Sequence, residues 1–264
     1  MTLLMYLIVG ACAGLLSGLF GIGGGLLIVP VLVFSFGAMG FTAEIIMPMA
    51  IGTSLATIVV TSISSTRSHH QNGNVDWSIF VLLAPGIAIG VWLGVQTVVR
   101  LPAEQLQRAF GCFALIVAAQ MAFSLKPKPS RELPAKPVVM IVGSGIGYLS
   151  AMFGIGGGTL TVPYLSWCNI KMQRAVGTAA ACGLPIACVG ALSNIAVGWD
   201  KPGLPEDSLG FVYWPAFLGI VLTSAWLARY GAKLAQRLPA DKLKRAFAVF
   251  LLIVGIQFIV RSLY

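Results

Sequence analysis

One stretch of this chain is written twice. Gly14-Leu-Leu-Ser-Gly-Leu-Phe-Gly-Ile-Gly-Gly-Gly-Leu-Leu-Ile-Val-Pro30 returns as Gly147-Tyr-Leu-Ser-Ala-Met-Phe-Gly-Ile-Gly-Gly-Gly-Thr-Leu-Thr-Val-Pro163. Two more echoes follow in the same order, Ala50-Ile-Gly-Thr-Ser54 with Ala175-Val-Gly-Thr-Ala179 and Arg100-Leu-Pro-Ala-Glu104 with Arg237-Leu-Pro-Ala-Asp241. Whatever the chain folds into must therefore be built from two copies of one unit. The first repeat is residues 1–125, the second 138–264, and residues 126–137 join them as a basic, Pro-rich linker unsuited to hydrocarbon.

The material of each copy is almost uncharged. Asp, Glu, Lys and Arg make up 9% of the residues and apolar side chains 58%, against about 25% charged in an ordinary soluble domain. This composition excludes a water-soluble enzyme and a disordered chain. Unbroken apolar runs, rather than alternation, point to helices and not a barrel. An all-α polytopic membrane protein is expected. The formal charge of +9 does not indicate nucleic acid, because the Lys and Arg residues sit at the ends of apolar runs, where cytoplasmic retention accounts for them. The amino-terminal run lacks a basic n-region and reads as mature structure. Cys12, Cys112, Cys168, Cys182 and Cys188 form no metal-ligand spacing with His69 and His70 and read as small apolar packing residues.

Each half contains one Gly-interrupted apolar segment, about Leu3 to Phe36 and Val138 to Trp167, followed by three plain spans. The plain spans lie near Ile45 to Thr66, Trp77 to Val99 and Glu104 to Ser124, then Ala175 to Val197, Leu209 to Ala228 and Leu243 to Val260. As a single helix the first interrupted segment would be about 50 Å long, beyond a hydrocarbon core of about 30 Å. If each such segment is a re-entrant hairpin, 13 of the 17 Lys and Arg fall on one face; if each crosses as a broken helix, they divide almost evenly. Charge placement thus favours two hairpins and six spans, with both termini outside and the halves forming an inverted repeat.

The interruption carries the chemistry. Gly21, Gly23, Gly24 and Gly25, and again Gly154, Gly156, Gly157 and Gly158, put four glycines in five apolar positions, each weakening a helix by roughly 1 kcal/mol relative to Ala. Unwound backbone results, and it must face protein or water rather than lipid. A helix restarting after the cluster aims its free amides and positive dipole end at that place, which suits an anion without any charged side chain. Ser17, Ser150, Thr159 and Thr161 lie near enough in sequence to add hydroxyl donors, and Pro30 and Pro163 act as hinges limiting where the second arm bends. Thr53, Ser54 and Thr178, a few residues into the next span, could close the same cavity, with Asn194 as a further donor. Close helix packing is the simpler reading of the glycines, and fits Gly86, Gly90 and Gly94 and Gly10, Gly14 and Gly18 at four-residue spacing. No charged residue sits mid-span, so no proton relay is visible, and neither a nucleophile with its base nor a metal-ligand cluster is present.

The duplicated G-x-G-G-G segment leading to Pro, followed by A-[IV]-G-T opening the next span, resembles the sulfite exporter TauE/SafE (TSUP) family over essentially the whole chain. The resemblance implies a cell-membrane carrier of sulfur-containing anions such as sulfite, sulfoacetate or other organosulfonates, with no enzymatic activity and no cofactor. Its motifs fall on Gly21, Gly23, Gly24, Gly25 and Pro30, on Gly154, Gly156, Gly157, Gly158 and Pro163, and on Gly52, Thr53, Ser54, Gly177 and Thr178. Ala179 departs from Ser54, so the halves need not contribute equally. A passive anion channel and a cysteine-dependent sulfur relay are the alternatives. A homodimer is compatible with the sequence but nothing demands one. The charge asymmetry makes a checkable prediction: alkaline phosphatase fused after Tyr264 is active and a fluorescent protein at the same place is dark, whereas the reverse pattern would refute termini on the outer face.

Overall fold

The computed structural model of the chain describes residues 6–8, 10–15, 24–123, 132–235 and 240–262. The helices are α1 (Tyr6–Leu15), α2 (Gly25–Ala38), α3 (Ala43–Gln71), α4 (Trp77–Arg100), α5 (Ala103–Ala122), α6 (Lys136–Phe153), α7 (Gly158–Trp167), α8 (Met172–Gly198), α9 (Trp214–Ala235) and α10 (Ala240–Arg261). Among the described residues α3, α4, α6 and α8 are long and apolar enough to cross a membrane. α5, α9 and α10, with 20, 22 and 22 residues, also reach about 30 Å at 1.5 Å per residue. The chain is an all-α membrane protein.

Local signals set the ends. Asp76 caps α4 by accepting the Ile79 amide at 3.3 Å, and Pro137 sits in the first turn of α6, where its missing N–H costs nothing. Glycines in the left-handed region, Gly40 at φ +77° and Gly73 at φ +67°, turn the chain after α2 and α3. One expected boundary is wrong. The span expected from Leu209 begins only at Trp214, because β1 (Ser208–Leu209) and β2 (Val212–Tyr213) form an antiparallel hairpin first. Its two-residue loop has Gly210 at φ +54° in the first central position, the place such loops reserve for glycine.

The second interrupted segment is divided into α6 and α7 at Gly154–Gly157, and in the first α2 starts at Gly25 after a left-handed Gly24. The outer ends of α1 and α2 meet: Ser35 Oγ donates to the Tyr6 hydroxyl at 3.1 Å, and that hydroxyl donates to Met39 Sδ at 3.2 Å. Likewise α6 and α8 both start against the N-terminal end of α4. Gly143 packs on Leu83, while Arg174 Nη2 pairs with Asp76 Oδ2 at 2.8 Å.

The repeats interleave. Gly86, Gly90 and Gly94 of α4 lie in order against Met140, Ser144 and Tyr148 of α6, so these helices run parallel with backbones in contact. Tyr6, Gly10 and Gly14 of α1 meet Gly219, Ile220 and Ser224 of α9 in the same sense. Equivalent helices pair antiparallel: Gly52 meets Asn194 and Gly190 meets Leu55 between α3 and α8, while Arg108 Nη2 of α5 donates to the Ser262 carbonyl after α10 at 2.7 Å. One continuous core results, with Phe110, Phe153 and Phe258 from both repeats in ring contact.

The parallel α4–α6 seam predicts a contrast. Gly90→Ala, whose Cβ has no room beside the Ser144 backbone, lowers stability by about 1–3 kcal/mol in thermal unfolding. Gly145→Ala, at the residue after Ser144 on α6 but with open space around it, is neutral or slightly stabilising.

Candidate functional site

The break between α6 and α7 is the best described part of the site. Gly154 ends α6 at φ +62° and ψ +35°, a conformation that favours glycine, and its amide bonds back to the Ser150 carbonyl. The Ile155 amide shares that carbonyl at 3.0 Å. The chain then runs without helical bonds through Gly157, and α7 begins at Gly158. The first α7 amide with a partner is that of Thr161, held by the Gly157 carbonyl at 3.0 Å. Among the described bonds none takes the amides of Gly156, Gly157, Gly158, Thr159 or Leu160. These are the orphan donors of a helix start, extended by the unwound glycines in front of it.

The other repeat meets this break. Gly25, the first residue of α2, lies so close to the Gly154 carbonyl and Ile155 that no Cβ would fit. Gly24 before it is left-handed at φ +73°, whereas its counterpart Gly157 is right-handed at φ −60°. The two breaks therefore differ in shape. Gly157 rests on the α8 turn from Ala179 to Gly183, and Ser54 Oγ donates to the Gly154 carbonyl at 2.7 Å, satisfying an acceptor the break had freed.

The expected residues divide into three groups. Gly24, Gly154, Gly156 and Gly157 lie at the breaks as expected, while Gly25 and Gly158 are not unwound but open α2 and α7. Gly21, Gly23 and Ser17 lie outside the described residues. Ser150 and Asn194 are fully buried; Ser150 Oγ, Thr159 Oγ1, Thr161 Oγ1 and Asn194 Oδ1 have no hydrogen-bond partner. Buried polar groups normally find one, so these four atoms ask for an explanation. Pro30 and Pro163 lie inside α2 and α7, which continue through them.

Thr53 and Thr178 are elsewhere. Thr53 Oγ1 accepts the Tyr213 amide at 3.0 Å, and Thr178 Oγ1 accepts the Asp76 amide at 2.9 Å, so both hydroxyls are used to hold connections. Sequence reasoning missed the Tyr164 hydroxyl, which is buried with the Cys168 thiol as its neighbour. It lies three residues beyond Thr161 on α7, a helical spacing.

The interior is electrically neutral: among the described residues every buried polar side chain is Ser, Thr or Asn. No grouping of His, Cys, Asp or Glu there could hold a metal ion. What remains is a start of helix with free amides and hydroxyls, an environment of fixed dipoles that favours negative charge.

The sequence profile of the family described as Sulfite exporter TauE/SafE matches residues 6–258. The chain belongs to the sulfite exporter TauE/SafE family. A probable membrane transporter protein of Haemophilus influenzae is 40% identical over 256 residues, covering 97% of this chain and 97% of the relative. One of Methanocaldococcus jannaschii is 28% identical, covering 96% and 93% of the two chains. Another, from Bacillus subtilis, is 23% identical and is matched along its whole length. No solved structure matches. This TauE/SafE member is thus a membrane protein whose relatives are named as probable transporters.

The tie between α3 and the break predicts that Ser54→Ala, which leaves the buried Gly154 carbonyl without its donor, costs about 1–3 kcal/mol in thermal unfolding. Ser54→Thr, which keeps a hydroxyl there, recovers part of that loss; equal losses for the two variants would show that the bond is not what matters.

Proposed function

We propose that this TauE/SafE protein is a carrier of small sulfur-containing anions, sulfite, sulfoacetate or another organosulfonate, in the cell membrane. The solute is held near the midplane where the two Gly-rich breaks meet. The observation that carries this reading is the run of untaken amides from Gly156 to Leu160 at the start of α7, together with the unpartnered hydroxyls of Thr159 and Thr161 on that helix and of Ser150 in the last turn of α6. A sulfite or sulfonate group presents several acceptor oxygens and one or two negative charges, and these donors supply its hydrogen bonds while the α7 dipole offsets its charge. The neutral interior means that the anion meets no fixed cation that would hold it too tightly to release.

Re-entrant geometry is supported by two contacts. If each interrupted segment crossed the bilayer, the connection holding Asp76 and the one holding Arg174 would lie on opposite faces, yet the two side chains pair at 2.8 Å. The Tyr6–Ser35 bond similarly holds the outer ends of α1 and α2 together. Antiparallel pairing of α3 with α8 and of α5 with α10 is what a two-fold axis in the membrane plane produces. On this reading the halves rock about the shared site to expose it alternately.

The test uses the orphan hydroxyls. Because Thr161 Oγ1 is buried without a partner, Thr161→Val keeps or raises the ligand-free melting temperature. Thr159→Val and Ser150→Ala are expected to behave alike. Each should weaken sulfite or sulfoacetate affinity by roughly two- to tenfold, as expected for one hydrogen bond. Affinity is read by thermal stabilisation in detergent, and transport by counterflow in proteoliposomes, which a carrier shows and a passive channel does not. Unchanged affinity and counterflow in all three variants would remove the α7 start from the mechanism.

A further inference from the structure

The duplicated Gly-Thr pairs make one contact twice. Gly177 lies against the Asn74 backbone with no room for a Cβ, and Thr178 Oγ1 accepts the amide of Asp76, the residue that caps α4, at 2.9 Å. Gly52 lies in the same way against the Phe211 carbonyl, and Thr53 Oγ1 accepts the amide of Tyr213, the residue before α9, at 3.0 Å. Asn74 and Phe211, Asp76 and Tyr213, and Trp77 and Trp214 are each 137 positions apart, the offset that also relates Arg100 to Arg237. Each repeat therefore clasps the connection that leads into the second plain span of the other repeat.

Since α3 and α8 run antiparallel and Gly52 lies level with Asn194, the two clasps stand about 25 Å apart along that pair, one toward each membrane face. Between them lies the break at Gly154, tied to Ser54. The reinforcement differs. On the face carrying Arg67, Lys171 and Arg174, which the charge rule puts inside, the clasp is backed by the Arg174–Asp76 ion pair. On the other face the Tyr213 ring packs edge-on against Phe36, Phe41 and Tyr6, and the Phe211 amide donates to the Asn194 carbonyl at 3.2 Å.

We propose that the two Gly-Thr clasps are the inner and outer gates of the carrier: it opens to one face by releasing one clasp while the other holds. Both clasps are closed here, which describes an occluded chain. The inference rests on the alternating-access reading above but not on the identity of the solute. The tight Gly contact makes each gate shut on backbone, so a closed gate leaves no gap for a small anion. The hydroxyl–amide bond of each gate, with the partly exposed ion pair that backs it on the inner face, is weak enough to be broken in every cycle.

The experiment reads accessibility without any transported solute. Cys12, Cys112, Cys168 and Cys188 are replaced by Ala, leaving Cys182, which is fully buried on α8 beside Gly157. A second reporter is Ser150→Cys in a background lacking all five native cysteines. A membrane-impermeant charged methanethiosulfonate is applied to right-side-out and inside-out vesicles. Thr178→Val is expected to raise labelling from the inner face by roughly five- to tenfold and Thr53→Val from the outer face, as expected for loss of one hydrogen bond. Thr178→Ser and Thr53→Ser, which keep the hydroxyl, label as the parent. Should the Val variants fail to fold, Asp76→Asn keeps the helix cap but loses the ion pair and opens the inner face alone. Labelling that is unchanged at both reporters, or that rises on the same face for both clasps, overturns the proposal. Counterflow lost with labelling intact would instead count against the carrier reading.

Discussion

A peptide group placed in hydrocarbon has nowhere to find a hydrogen bond except within the protein, and the rest of this structure follows from how two broken helices meet that demand. At the α6–α7 break the freed carbonyl of Gly154 is taken by Ser54 from another helix, and the amides of Gly154 and Ile155 turn back to Ser150. The donors from Gly156 to Leu160 are left over. The Gly154 carbonyl is thus satisfied from another helix, whereas the amides at the start of α7 keep their hydrogen-bonding capacity.

The same demand explains why glycine is used so heavily. A break can be enclosed only if neighbouring backbones come close, as Gly25 does to Gly154 and Gly157 to α8. Elsewhere glycine serves packing alone. The Gly86, Gly90 and Gly94 ladder brings α4 onto α6 and thereby fastens the second interrupted segment to a helix of the first repeat. Interleaving is then unavoidable: α1 packs on α9 and α6 on α4, each a helix of the other repeat, and the buried residues of both halves form a common core.

Much of this was legible in residue order because glycine clusters act locally. Helix propensity alone breaks a helix at Gly154, and unbroken apolar length alone marks α3, α4 and α8. The losses came where partners are far apart in sequence. Thr53 and Thr178 look like site hydroxyls because a hydroxyl within an apolar span has no evident partner nearby; their partners, the amides of Tyr213 and Asp76, are 160 and 102 positions away. The hairpin from Ser208 to Tyr213 was read as the start of a span because its apolar residues are buried as a helix's would be; what keeps it extended is the Thr53 acceptor and the Asn194 carbonyl, neither of which is local. Pairing of Asp76 with Arg174 lay equally beyond any pattern argument.

The residue sequence by itself determined that this is a two-fold repeated, all-helical membrane protein, interrupted at defined glycines and asymmetric in its basic residues. Composition, periodicity and backbone propensity act over a few turns and need no partner. Only the tertiary structure decided which hydroxyls are spent on the scaffold and which remain free, and how the halves interlock. Those outcomes depend on long-range backbone approach, where a single angstrom or a single Cβ determines whether a bond forms, and no local pattern records that.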